Sequence, residues 1–341
     1  MPISSATDPF HERSTGLHRR HLHLLGAQVR FESNSDRLLR LVDQAFAGLS
    51  PHQLFAETPR LRVRLQLMPR AHRNPAREPP LMKMFAAPGL LCGAMDESNL
   101  AVVSPAQRSA LVVISRDMLR HPYHARYELI EFAVYMLAAR AQGLVPLHAA
   151  AVGCEGRGLL LMGGSGAGKS TMALHCLLQG LELLSEDSVF VTPGGLMATG
   201  IANFLHLHPQ GLRFLRGHHS AERIRSSPMI RRRSGAEKYE LDLRHADYRL
   251  ASAPLTVQAV VFLSTRRAGD RRLLVPVPRR ELAARLAAQQ PYASGQQGWH
   301  TFTRRLSGVR AFELHRGSHP RVAVEVLRGL LDVPVRRTRR A

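Results

Sequence analysis

The 341-residue chain carries 47 Lys and Arg against 26 Asp and Glu, a formal net charge of +21, and is 45% hydrophobic. That apolar share is ordinary for a globular protein, and the length suits two or three domains. The three cysteines, Cys92, Cys154 and Cys176, are far apart and lack metal spacing, so a reduced, cytoplasmic chain without a disulfide framework is expected.

The first twenty residues, MPISSATDPFHERSTGLHRR, have no apolar h-region and read as a disordered N-terminus rather than a secretory signal. No stretch approaches the length of apolar sequence that a membrane span needs. Only Lys83, Lys169 and Lys238 are lysines, so nearly all the basic charge is Arg. With 6% aromatics and no nucleic-acid-binding motif, the charge reads as surface arginine, and nucleic acid is not the expected partner.

Leu22, Leu24, Ala27, Val29 and Phe31 predict one or two strands. Leu38, Leu41, Val42 and Ala45 fall at helical spacing and predict a helix over 36–47. LRVRLQLM (61–68) alternates as a strand, 69–80 is a Pro-rich loop, and SALVVIS (109–115) is a further strand. A helix is predicted over 125–143, ending at Gly143. Residues 21–125 thus form a small N-terminal α+β domain without recognisable chemistry, and 126–332 a second domain ahead of a basic tail, 333–341.

In the second domain, VPLHAAAV (145–152) and GLLLMG (158–163) are two apolar strands joined by Cys154–Arg157. A connection that short requires an antiparallel hairpin. A helix over 169–179 ends at Gly180, the strand LELLS (181–185) follows, and TVQAVVFLS (256–264) is a buried strand. Helices are expected over 279–289 and 320–331.

Gly163, Gly164, Ser165, Gly166, Ala167, Gly168, Lys169 and Ser170 spell G-G-S-G-A-G-K-S, a phosphate-binding P-loop (Walker A) pattern at every fixed position, with Thr171 next. Its glycines let backbone approach phosphate oxygens, and its amides and the helix N-terminus face the anion. Lys169 would reach the β- and γ-phosphates of a nucleotide and Ser170 would hold Mg2+, which alone does not separate kinases from ATPases, GTPases or switches. Glu186 and Asp187 follow Lys169 by 17 and 18 residues, at the end of the next apolar run. One carboxylate can orient the metal, and the other can take a proton from an attacking hydroxyl. His148, in a strand expected beside the P-loop strand, is placed to bond Glu186 or a phosphate.

The stretch LHAAAVGCEGRGLLLMGGSGAGKSTMALHCLLQGLELLSED resembles the catalytic core of the HPr kinase/phosphorylase-related serine kinases. The shared order is His148-Ala149, hairpin, P-loop, helix, Gly180, strand, Glu186-Asp187, specific over some 40 residues. The resemblance implies an α/β fold with a mixed sheet similar to the PEP carboxykinase nucleotide domain. It also implies an ATP- and Mg2+-dependent kinase acting on a serine of a small protein or peptide, in a family whose members form homo-oligomers. Lys169 and Ser170 would serve ATP and Mg2+, and Asp187 the metal. Glu186 stands where the family has its catalytic Asp, one methylene longer, and His148 matches the histidine near that acid. The longer acid also motivates an alternative, an ATP-binding switch or ATPase without phosphotransfer.

Arg223, Arg225, Arg231, Arg232, Arg233 and Lys238 crowd a loop before the strand KYELDL, with Lys238 the best candidate to reach the γ-phosphate or an acidic substrate. The pairs His21/His23 and His206/His208 could each begin a metal site, although neither has an evident third ligand. Trp299, in a Gly-rich polar stretch, is expected to pack.

Overall fold

The computed structural model describes residues 17–68, 78–244, 248–269 and 272–331. The N-terminus through residue 16, most of the 69–80 loop and the tail 333–341 lie outside the described residues. Two compact units emerge. The first comprises described residues through His23, Ala27–Ala47 and Pro59–Ala141; the second comprises Leu24–Gly26, Gly48–Thr58 and the chain from Gln142.

The first unit is a seven-stranded sheet: β1 (His18–Leu24), β2 (Ala27–Ser33), β3 (Arg60–Met68), β4 (Lys83–Ala87), β5 (Leu90–Asp96), β6 (Asn99–Ser104) and β7 (Ser109–Ser115), in the order β1-β2-β3-β7-β6-β5-β4. β2, β3 and β7 run parallel, and β4 to β7 form an antiparallel meander. Alternation in β3 turns Leu61, Val63 and Leu65 inward and Arg60 and Arg62 outward. Helix Asp36–Phe46 buries Leu38, Leu39, Val42, Ala45 and Phe46, and the Phe46 ring stacks on Phe31. The helix expected over 125–143 is present, but Ala125–Glu131 is wound as a π-helix before helix Phe132–Gln142. It belongs to the first unit, so the division falls after Ala141, one helix later than the expected border at 125/126. Strands β4 to β6 had no counterpart in the sequence reading.

The second unit holds β8 (Val145–His148), β9 (Ala150–Cys154), β10 (Arg157–Met162), β11 (Glu182–Ser185), β12 (Ser188–Val191), β13 (Met197–Gly200), β14 (Phe204–Leu207), β15 (Met229–Arg231), β16 (Glu237–Asp242), β17 (Leu255–Arg267), β18 (Leu274–Pro276) and β19 (Arg310–Arg316). A nine-stranded mixed sheet follows the path β11-β9-β10-β17-β13-β12-β8, with β19 beside β17 and β18 beside β19; β14, β16 and β15 make a separate sheet. The fold is therefore mixed α/β.

The hairpin β9–β10 is antiparallel, as its short turn demands. The run 145–152, however, is two strands: it changes partner at Ala149, and β8 pairs with β12 while only β9 lies beside β10. His148 therefore does not stand in a strand next to β10. β8–β9 and β11–β12 are two chain segments in one antiparallel register, with His148 opposite Ser188 and Ala151 opposite Ser185. Regular pairing lapses between those points, at Ala149 and at Glu186-Asp187, where the Ala149 amide donates to the Asp187 carbonyl at 3.1 Å. β10 is parallel to β17, and β11 is antiparallel to β9, so the carboxyl ends of β10 and β11 point the same way.

The sheet is covered on both faces. Leu159 and Leu161 enter a core with helices Lys169–Leu178 and Pro320–Leu330. Leu160 and Met162 enter another with helices Arg279–Gln289 and Trp299–Leu306. Two covered faces are why β10 reads as an unbroken apolar run. Trp299 packs against the second core, 5.6 Å from the Phe302 ring centroid. No described helix is long and apolar enough to cross a membrane.

Candidate functional site

β10 ends at Met162, and the chain turns through Gly163–Gly168 into helix Lys169–Leu178. Two features need glycine. Gly168, the residue before the helix, has φ +104°, which a side chain disfavours. At Gly163 a Cβ would stand 2.8 Å from the Ala167 Cβ, so the loop closes on itself only without one. Gly164, Ser165 and Gly166 are exposed, and Thr171 is half-buried in the first helical turn. From β19, Arg316 donates to the Gly166 carbonyl at 3.1 Å.

Lys169 is 8% exposed. Its Nζ donates to the Gly163 carbonyl at 2.7 Å and meets His148 Nε2 at 3.0 Å. Burial lowers the Lys169 pKa; Asp187 and Glu186 oppose that shift, while the positive charge of Lys238 adds to it. With the ammonium donating to Nε2, the His148 proton sits on Nδ1, which faces Asp187 Oδ1 at 3.1 Å. Buried Gln290 fixes the His148 backbone from both sides: its Oε1 accepts from the His148 amide at 2.8 Å and its Nε2 donates to the His148 carbonyl at 3.1 Å.

The two neighbouring acids have opposite surroundings. Glu186 is 5% exposed; it accepts a hydrogen bond from Ser170 Oγ and faces His206 Nδ1 at 3.1 Å. Burial pushes its pKa up, but His206 and Ser170 outweigh that and hold it well below the carboxylate range. Asp187 is the more open acid, with 28% of its side chain exposed, and its partner His148 has 55% exposed. Ser185 sets the turn between them and β12, donating from Oγ to the Ser188 carbonyl at 2.7 Å. The acid touching Ser170 is thus Glu186, whereas the sequence reading gave the metal to Asp187 and the proton to Glu186.

Three residues that the sequence reading did not assign to this site stand in it. His206 on β14 stands between Glu186 and Glu240 of β16, with Nε2 3.3 Å from Glu240 Oε1. Burial lowers its pKa, and the two carboxylates more than reverse that, raising it overall. Gln290 is the third. The only hint was the H-x-H spacing, and it misled: β14 ends at Leu207, and exposed His208 instead accepts from the Gln210 amide. Among the described residues no group of three or more His, Cys, Asp or Glu forms a metal cluster, at His206/His208 or at His21/His23. The Arg-rich stretch is not a single loop: Arg223 and Arg225 close the short helix Ser220–Arg225, and Met229–Asp242 is the β15–β16 hairpin. Lys238 stands opposite Ile230 there, and the Lys238 and Arg232 charges act on Lys169 and Glu186.

No protein-family model matches the chain, and no curated protein matches it. Solved structures that match include the HPr(Ser) kinase/phosphatase from Coxiella burnetii, at 10% identity over 54% of this chain and 94% of that one, with a TM-score of 0.24.

Proposed function

We propose that the second unit binds ATP with Mg2+ and transfers the γ-phosphate to a serine hydroxyl of a small protein or peptide. The observation that carries this reading is the convergence of Lys169, Ser170, Glu186, Asp187 and His148 at the carboxyl ends of β10 and β11. A loop that closes only around glycine, a buried lysine and a helix N-terminus are the parts a polyphosphate needs. The hard oxygen donors Ser170, Glu186 and Asp187 would suit Mg2+, which when bound would supply charge neutralisation to the phosphates.

Lys169 carries positive charge to the phosphates, and Lys238 adds to it from β16. Glu186, kept ionised by His206, fixes the Ser170 hydroxyl. Asp187 is the open carboxylate, and we assign to it the proton of the acceptor serine as that oxygen bonds to phosphorus and the bond to ADP breaks. His148 orients Asp187 through Nδ1–H, as an imidazole orients an acid in other proton transfers.

The test is transfer from γ-labelled ATP to small proteins and peptides of the source organism, compared among wild type, Lys169→Ala and Asp187→Asn. The expected result is one labelled acceptor that both variants fail to label, with ATP retained by Asp187→Asn. Tight ATP binding with no labelled acceptor would replace the kinase with a nucleotide-dependent switch.

A further inference from the structure

The sheet of the first unit has one face covered by helices and one face open. Across the open face one row of side chains can be followed strand by strand: Arg64 on β3 stands beside Leu111 on β7, then Val102 on β6, Cys92 on β5 and Phe85 on β4. Leu111 is 38% exposed and Phe85 58%, and β4 is the edge strand. The row is therefore apolar over its β7–β4 half. Exposed apolar surface that is contiguous rather than scattered marks an interaction site.

The β2–β3 half is basic. Arg60, Arg62 and Arg64 alternate along β3, and Arg30 stands opposite Arg62 on β2. Glu32, 1% exposed, lies beneath Arg30 and Arg62, with Arg19 at 3.7 Å. One carboxylate underlies an excess of guanidiniums, and Arg19, Arg30 and Arg62 keep 57%, 45% and 56% of their side chains exposed. Guanidiniums are built to take carboxylates from a second molecule in pairs.

We propose that this face docks a polypeptide segment that is acidic at one end and apolar at the other. Charge complementarity selects the acidic end, and the adjoining aliphatic half selects a protein ligand. Nucleic acid would leave Leu111 and Val102 unpartnered, and Phe85 alone is no stacking platform. A second copy pairing through this same face would set its arginines against arginines. From β2 to β4 is five strand spacings, roughly 24 Å at about 4.8 Å each. That matches a helix of about sixteen residues at 1.5 Å per residue. The inference stands independently of phosphotransfer.

The test uses the full chain and a fluorescein-labelled peptide of about sixteen residues, with glutamates in its first two turns and leucines at helical spacing in its last two. A copy with lysine for glutamate and a single-stranded oligonucleotide of similar length serve as the other probes. The expected result is saturable anisotropy for the acidic peptide and binding weaker by about tenfold or more for the lysine copy. Arg60→Glu with Arg64→Glu should weaken the acidic peptide by a similar factor, and Phe85→Ser, at the far end, should weaken it by about threefold. ATP affinity and thermal unfolding of the variants serve as fold controls. Equal binding of the two peptides, or saturation by neither, overturns the proposal. So does displacement of the peptide by the oligonucleotide, which makes nucleic acid the ligand. A wild-type dimer that the double variant dissociates would assign the face to a second copy.

Discussion

Glu32 in the first unit and Glu186 in the second are both buried carboxylates with pKa values below the ordinary range, but their partners differ. Burial opposes ionisation at Glu32, and the guanidiniums of Arg62 and Arg30 overcome it. Arginine keeps its proton throughout the accessible pH range, so that clamp is permanent. At Glu186 burial is overcome by His206 and by the Ser170 hydroxyl. A histidine clamp can be released, and a hydroxyl that satisfies a carboxylate can also face a metal. The comparison separates a carboxylate held by permanent cations from one that, in the proposed kinase, orders the reaction centre.

The largest expected difference is in transfer. Glu186→Gln should lower phosphotransfer by roughly a thousandfold, since the Ser170 hydroxyl loses its charged partner. Glu32→Gln should leave the rate of transfer, at saturating acceptor, unchanged. Steady-state rates for both variants check this, and a comparable loss in Glu32→Gln would erase the distinction. The next effect is on stability. His206→Leu leaves Glu186 and Glu240 buried without their shared cation and should cost about 3 kcal/mol or more. Arg62→Leu leaves Arg30 on Glu32 and, at an exposed position, should cost about 1 kcal/mol or less. Urea unfolding of the two variants measures the gap.

The third difference is in pH dependence. The folded pKa of His206 is raised above 6.5. Its stabilisation is complete below about pH 6.5 and is lost as pH rises through the folded value. Glu186 acts in the other direction: with its folded pKa held at about 2, its contribution is present above 4.5 and lost as pH falls toward 2. Buried His175, lowered to about 4, also withdraws stability as pH falls from 6.5. Glu32, lowered by permanent cations, has only the acid limb. Urea midpoints between pH 6 and 9 should therefore fall for wild type and fall less for His206→Gln. Equal slopes would remove His206 from the account.

How much of this was legible follows the same divide. β3 and helix Asp36–Phe46 were readable because one face of each is buried, so polarity alternates at the period of the element. β4 to β6 were not, because Met84, Phe85 and Leu90 are apolar yet 58%, 58% and 41% exposed, which blurs the alternation. In the second unit the hairpin β9–β10, the helix after the glycine-rich turn 163–168 and the strand β11 were legible as local patterns. The interruption at Ala149 was not, since a strand's change of partner depends on β12, some forty residues away. His206 was noticed for the wrong reason. Glu186 reaches it from the turn between β11 and β12 and Glu240 from β16, and pairwise spacing within one segment cannot announce them.

The smallest expected effect contrasts two leucines. Leu161 is fully buried in β10, within a core shared with helix Lys169–Leu178, and Leu161→Ala removes packing that its neighbours cannot refill. A cost of about 2 to 5 kcal/mol is expected. Leu111 lies in a strand of similar apolar composition, but its side chain stands on the open face at 38% exposure. Leu111→Ala should change unfolding free energy by no more than about 0.5 kcal/mol. If the open face is kept apolar for a partner, the cost of that truncation appears in peptide binding and not in folding. A Leu111→Ala variant as destabilised as Leu161→Ala would mean that the face is covered within the chain itself, and the argument for a docking surface would fall with it.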